Sequence, residues 1–348
     1  MKKIRIAQVG TGHDHAAPII WIIDRCKDVF EFIGYAIGED DNEKYEREKN
    51  AYYEPFKRYT VEELLAMDDL DAVAIETTEL TSVKYAQMFA ERGVHIHLDK
   101  PGNENAEEFE KLLSTIKAKG TILSMGYMYR FNPAVQRTLQ AVKDGKLGDV
   151  YAVEAHMDCS HPPKKRQWLE QFQGGMTFYL GCHLVDLIMI FMGIPEQITP
   201  YNFPVGADGV TAKDNGMTVM QYKTGASFLK ACAAEPGGFM RRQLVVCGSR
   251  GTVEIRPIEA FIDKGGSVLS ADYAETLLKD GELSASWTVE AERAHFEFNR
   301  YEPMMKDFAR RIREGKQGEF TLEYEARLHR CILAACGIEC DFKGEIKL

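Results

Sequence analysis

The sequence predicts an α/β fold in two parts: a doubly wound parallel sheet at the N-terminus, then an α+β domain built on a large, mainly antiparallel sheet. Over the first 125 residues, apolar runs of strand length alternate with helix-length segments, the rhythm of a parallel sheet covered by helices on both faces. Later, strands follow one another through glycine-bearing turns, which argues for antiparallel or mixed pairing. A chain of 348 residues, 45% of them hydrophobic, is also long enough for two cores. The expected domains are 1–125 and 126–348.

Taken in order, an apolar run at 3–9 ends at Gly10-Thr11-Gly12, and 16–23 has helical spacing, giving strand, glycine turn and helix. A second strand is expected at 30–37, polar and short helices at 42–49 and 61–67, and a buried strand at 71–76. The alternation continues with a helix at 81–93, a strand at 95–98, a helix at 106–120 and a strand at 121–126. Beyond it the pattern predicts helices at 133–143 and 176–192, separated by a strand at 149–158 and a polar loop at 160–173. Strands at 219–222, 226–233, 242–247 and 251–256 follow, and helices at 303–314 and 322–340 close the chain.

A formal net charge of -10 with no basic block argues against nucleic acid as a partner. The apolar start is broken by Arg5 and Gln8, unlike an export signal, and the longest apolar stretch, 184–192, contains Asp186. No membrane association is expected. Eight cysteines without a CxxC pair suggest free thiols in a reducing, cytoplasmic compartment. His95 and His97 share one face of a strand but have no third ligand nearby in sequence, so no metal is assigned.

Gly10-Thr11-Gly12 sits where the diphosphate of a dinucleotide would meet free backbone N–H groups and a helix N-terminus. The third position of the usual glycine pattern is His15 instead. Glu39, in the acidic run 39–41 after the second strand, is the candidate ribose ligand. With no Arg after that strand, NAD is favoured over NADP. His97-Leu98-Asp99-Lys100-Pro101-Gly102 lies at the carboxyl end of a predicted strand, where a partly desolvated Lys100 can exchange a proton with a substrate hydroxyl.

With Asp99-Lys100-Pro101, Tyr129-Arg130-Phe131-Asn132-Pro133, Gly174-Gly175, Gly181-Cys182-His183-Leu184-Val185-Asp186 and Gly248-Ser249-Arg250-Gly251-Thr252 in this order, the chain resembles the Gfo/Idh/MocA dehydrogenases over nearly its whole length. That resemblance implies a Rossmann domain, hydride transfer between nicotinamide and a secondary hydroxyl of a sugar, cyclitol or related polyol, and a cis Lys100–Pro101 peptide. It makes Lys100 and His183 catalytic. The family's usual Asp, four residues before the His, is Tyr179 here, placed on the same helical face and carried as a third catalytic candidate. His13, Thr77, Asp99, Lys100 and Pro101 join Gly10, Thr11, Gly12 and Glu39 as cofactor-binding candidates. Arg130 and Trp168, the latter as a sugar-stacking ring, join Lys100, Tyr179 and His183 as substrate-binding ones.

Relatives of this family pair through the second sheet, so a homodimer or homotetramer is expected. Two other activities fit the same residues. One is a cofactor-recycling enzyme that oxidises a sugar transiently to enable elimination or glycoside cleavage; the other is a non-catalytic NAD-dependent sensor.

Overall fold

The computed structural model describes residues 2–262, 268–278 and 290–348. It divides into two compact units, each assembled from separated stretches of chain: 1–127 with 301–329 and 345–348, and 128–300 with 330–344.

In the first unit, strands β1 (Ile4–Val9), β2 (Phe30–Ala36), β3 (Arg58–Tyr59), β4 (Ala72–Ile75), β5 (His95–Leu98) and β6 (Leu123–Met125) form one sheet. Its order is β3-β2-β1-β4-β5-β6, and every pairing is parallel. Helices α1 (Ala16–Arg25), α2 (Asn42–Tyr52), α3 (Val61–Leu65), α4 (Glu79–Glu91) and α5 (Ala106–Lys119) connect them. β4 reads Ala-Val-Ala-Ile and is buried throughout, as expected of a central parallel strand covered on both faces. Local signals set the helix ends. Asn105 accepts hydrogen bonds from the Glu107 and Glu108 amides to start α5, and Gly120, at φ 64°, stops it. The strand order reverses direction at β1, so a crevice opens at the carboxyl ends of β1 and β4. β3, only two residues long, offers no periodicity to read.

The second unit carries α6 (Pro133–Lys143), β7 (Val150–His156), α7 (Pro163–Trp168), α8 (Cys182–Met192), and strands β8 (Gln197–Phe203), β9 (Asn215–Tyr222), β10 (Gly225–Cys232), β11 (Gln243–Gly248), β12 (Gly251–Ile255), β13 (Ala260–Phe261), β14 (Val268–Leu277) and β15 (Glu292–Asn299). The sheet runs β13-β14-β12-β11-β7-β10-β9-β8, with β15 beside β14. Only β7 and β10 pair in parallel; the remaining pairs are antiparallel. Along β9, Gly216, Thr218, Met220 and Tyr222 are buried while Met217 is exposed, one face in and one out. β8 went unread because Pro200 interrupts it, which an end strand tolerates. β15 alternates charged with aromatic residues and is nowhere fully buried.

The last two helices are α9 (Glu302–Glu314) and α10 (Leu322–Ala335). The expected 126–348 domain put both in the second unit. The structure instead places 301–329 in the first. α9 buries Met304, Met305, Phe308 and Ala309, with the Phe308 ring 6.1 Å from that of His97. Arg311 Nη1 and Gln317 Nε2 donate to the Leu123 carbonyl at 2.8 and 2.6 Å, and the Leu123 amide donates to Gln317 Oε1 at 3.0 Å. These groups satisfy the outer edge of β6 as another strand would. No described helix is long and apolar enough to cross a membrane.

Candidate active site

The first unit gathers most of the predicted residues at the carboxyl ends of β1, β4 and β5. Gly10 has φ 102°, and a Cβ there would lie 2.2 Å from the Thr77 amide nitrogen, so the turn admits no side chain. At Gly12 a Cβ would meet Asp41 Oδ1 at 2.1 Å. The carboxylate packed against the turn is therefore that of Asp41. Its Oδ2 accepts from the Thr11 and Gly38 amides at 2.7 and 2.8 Å, while Oδ1 makes no hydrogen bond of normal geometry. Burial raises the Asp41 carboxyl above its ordinary range, opposed by the backbone donors around it.

Glu39, the expected ribose ligand, points elsewhere: its exposed carboxylate pairs with Lys84 Nζ at 2.6 Å. The turn after β2 folds residue 41 back onto Gly38, which carries position 39 outward. An open cavity of about 710 Å³ beside it is lined by Gly38, Glu39, Arg58, Lys84 and Tyr85. Arg58 reaches this end of β2 because β3 pairs with it, so cations do face the strand end that reads as purely acidic in sequence.

Beneath the glycine turn lies a buried polar cluster. The His13 amide donates to the Glu76 carbonyl at 2.9 Å, and its ring turns inward, with Nδ1 3.2 Å from Asp99 Oδ2 and 3.7 Å from Glu76 Oε2. His13 Nε2 lies 3.6 Å from Glu79 Oε1, His15 Nδ1 2.9 Å from Asp99 Oδ2, and His97 Nε2 3.8 Å from Glu76 Oε1. Burial pushes His15 and His97 down to about 4, outweighing the pull of Asp99. Glu76 is raised well above the carboxylate range, first by burial and then by the charge of Asp99. The rings and carboxylates of His13 and Asp99, expected to touch a cofactor, are thus directed into the protein.

Lys100 follows on the end of β5, is buried, and its amide donates to Asp99 Oδ1 at 2.7 Å. The Lys100–Pro101 peptide is cis. Thr77 is buried at the end of β4. Sequence reasoning missed Asp41, His15, Glu76 and Glu79. The available signals were Asp41 at the start of α2 and the His-x-His spacing at 13 and 15.

In the second unit, Arg130 closes a buried two-point pair with Asp186, Nε to Oδ2 at 2.9 Å and Nη2 to Oδ1 at 2.8 Å. The fork engages Nε and Nη2 of this guanidinium within the fold. Tyr129 OH donates to Glu259 Oε1, which also pairs with Arg242 and Arg300. His183 is buried in the first turn of α8, its ring edge-on to Tyr129 at 5.0 Å.

The helix expected over 176–192 is not continuous: Thr177–Gly181 forms a π-helical turn before α8. The wider turn alters the 179-to-183 spacing from that of an α-helical face. Tyr179 joins an aromatic group with Trp168 at 5.4 Å and Phe172 at 6.3 Å. Lys165 Nζ sits over Trp168 at 3.7 Å and over Tyr179 at 4.9 Å. Trp168 is 36% exposed, which leaves part of its ring open to a ligand.

Residues 4–127 match the family description "Oxidoreductase family, NAD-binding Rossmann fold", and residues 135–254 match "GFO/IDH/MocA C-terminal domain". The chain belongs to the Gfo/Idh/MocA oxidoreductases. A D-xylose 1-dehydrogenase (NADP(+)) of Haloferax volcanii is 28% identical over 48% of this chain and 51% of its own. The scyllo-inositol 2-dehydrogenase (NADP(+)) IolW of Bacillus subtilis is 22% identical over 52% and 49%. The chain thus spans about half the length of these Gfo/Idh/MocA relatives. Among solved structures, an aldose-aldose oxidoreductase from Caulobacter crescentus superposes with TM-score 0.75 over 97% of this chain and 98% of that one, at 18% identity. The shared element is the fold.

Proposed function

We propose that this chain is a nicotinamide-dependent dehydrogenase acting on a secondary hydroxyl of a sugar, cyclitol or related polyol. The observation that carries this reading is Lys100, a buried lysine at the carboxyl end of β5 beside the glycine turn. The residues fit a dinucleotide. Gly10 leaves the turn bare, and Asp41 Oδ1 is a buried acceptor with no partner of its own, suited to a ribose hydroxyl. Asp41 therefore takes the role first given to Glu39. Its carboxylate favours NAD, whereas Arg58 and Lys84 leave room for the NADP named for the Haloferax volcanii and Bacillus subtilis relatives.

Bound nicotinamide supplies or accepts the hydride. Lys100 takes the hydroxyl proton as a neutral amine when the alcohol is oxidised and returns it from the ammonium form when the ketone is reduced. His183 hydrogen-bonds a substrate hydroxyl, and Trp168 offers a sugar its apolar face. Tyr201, Phe203 and Met217, exposed on β8 and β9, suit pairing of this sheet with a second copy, which light scattering at micromolar concentration would show as a dimer or tetramer.

Lys100→Met tests the reading on a panel of sugars and cyclitols. Turnover with net NADH formation should fall by about two to four orders of magnitude while NADH fluorescence titration still shows binding. Full activity of this variant, or product formation by the wild type without net NADH, would sink the dehydrogenase mechanism.

A further inference from the structure

The cluster beneath the glycine turn draws imidazole nitrogens and carboxyl oxygens together. The His15 amide lies 3.1 Å from His13 Nδ1, the same nitrogen that stands 3.2 Å from Asp99 Oδ2 and 3.7 Å from Glu76 Oε2. Neither Glu76 oxygen has a hydrogen-bond partner, and the residue is completely buried. Two carboxyl groups and two imidazoles therefore converge in a largely buried space, a set of ligand atoms suited to a cation among them.

We propose that His13, His15 and Asp99, completed by Glu76, form a site for a divalent transition metal of the zinc, cobalt(II) or manganese(II) class. One donor atom from each of the first three lies within 4.8 Å of the others. Ligands about 2.0–2.2 Å from a common centre stand roughly 2.9–3.6 Å apart. The separations here are 2.9 Å for His15 to Asp99, 3.2 Å for His13 to Asp99 and 3.7 Å for His13 to Glu76. Two imidazoles with one or two carboxylates suit borderline first-row ions and not the oxygen-seeking magnesium or calcium. His13 Nδ1 would exchange its backbone contact for the metal, and the ion would tie the loop between β1 and α1 to the ends of β4 and β5.

The test strips the whole protein with a chelator, dialyses it, and adds zinc or cobalt(II). Metal content, thermal melting and X-ray absorption of the loaded sample are then recorded. One ion per chain, a higher melting temperature and a nitrogen/oxygen shell with two imidazoles and no sulfur are expected. His15→Ala and Glu76→Gln should each lower cobalt affinity about 10–100-fold. Substoichiometric metal, a sulfur-containing shell drawn from the eight cysteines, or affinity unchanged in both variants overturns the proposal. Should both variants fail to fold, X-ray absorption of the wild type decides alone. None of these readouts uses turnover, so loss of the dehydrogenase reading would leave the metal site standing, and the reverse.

Discussion

Asp158, Asp186, Asp214, Glu259 and Glu275 are buried in the second unit, and each has a lysine or arginine within ion-pair distance. Glu76, Glu79 and Asp99 are buried in the first unit, and histidine nitrogens stand 2.9 to 3.8 Å from their carboxyl oxygens. Both groups are costly to bury. In the second unit, side-chain cations offset that cost. A charge paired by arginine stabilises one arrangement, whereas acids left facing imidazoles keep an affinity for something else, a proton or an ion. That contrast separates the unit whose buried polar groups maintain a sheet from the one whose buried polar groups adjoin the proposed site.

The largest expected effect breaks a pair in the second unit. Arg130→Met leaves Asp186 buried without its guanidinium and should cost about 3–5 kcal/mol in urea unfolding. Glu76→Gln in metal-stripped protein should be far milder, within about 1 kcal/mol at pH 7, because an amide replaces a carboxyl that burial already holds above the usual carboxylate range. A loss there equal to that of Arg130→Met would erase the contrast.

Next in size is a pH effect from the first unit. Buried His329 is stacked on Phe109 at 4.3 Å, donates Nε2–H to the Asn103 carbonyl at 2.7 Å, and burial pushes it down from 6.5 to about 4. Its neutral form is favoured by folding, so its contribution is complete above pH 6.5 and disappears as pH falls towards 4. The wild type should lose up to about 3 kcal/mol across this window in excess of His329→Gln, followed by unfolding at stepped pH.

Smaller effects sharpen the site. Asp41→Asn should weaken NADH binding about tenfold, roughly 1.4 kcal/mol, while Glu39→Ala leaves it within about twofold. The reverse ranking in a fluorescence titration would restore Glu39 as the ribose ligand. Smallest is Thr60→Ala, which removes the capping box at α3. It should cost about 1 kcal/mol in the melting of the first unit and leave the second unchanged.

The β-α alternation was legible because each strand from β1 to β6, except the two-residue β3, has its own apolar run and each helix its own period. Lys100 was legible for a related reason: a polar motif just beyond a buried strand marks the open end of a parallel sheet. What escaped depended on approach in space. Asp41 and Glu39 differ by two positions in one acidic run, and only the turn at Gly38 decides which carboxylate faces Thr11. The Arg130–Asp186 pair spans 56 residues and leaves no mark on the local pattern. The period of α9 shows a helix with a buried face, but amphipathicity does not name what buries it.

The return of residues 301–329 to the first unit sets an order of events during biosynthesis. Residues 1–127 leave the ribosome before the 173 residues 128–300, which at roughly 5–20 residues per second take about 10–35 s to synthesise. Throughout that interval β6 has neither Arg311 nor Gln317 on its outer edge, and Phe308 has not yet reached His97. The nascent sheet must wait half-covered, its last strand open to the pairing that chaperones exist to prevent, until residues 301–329 emerge.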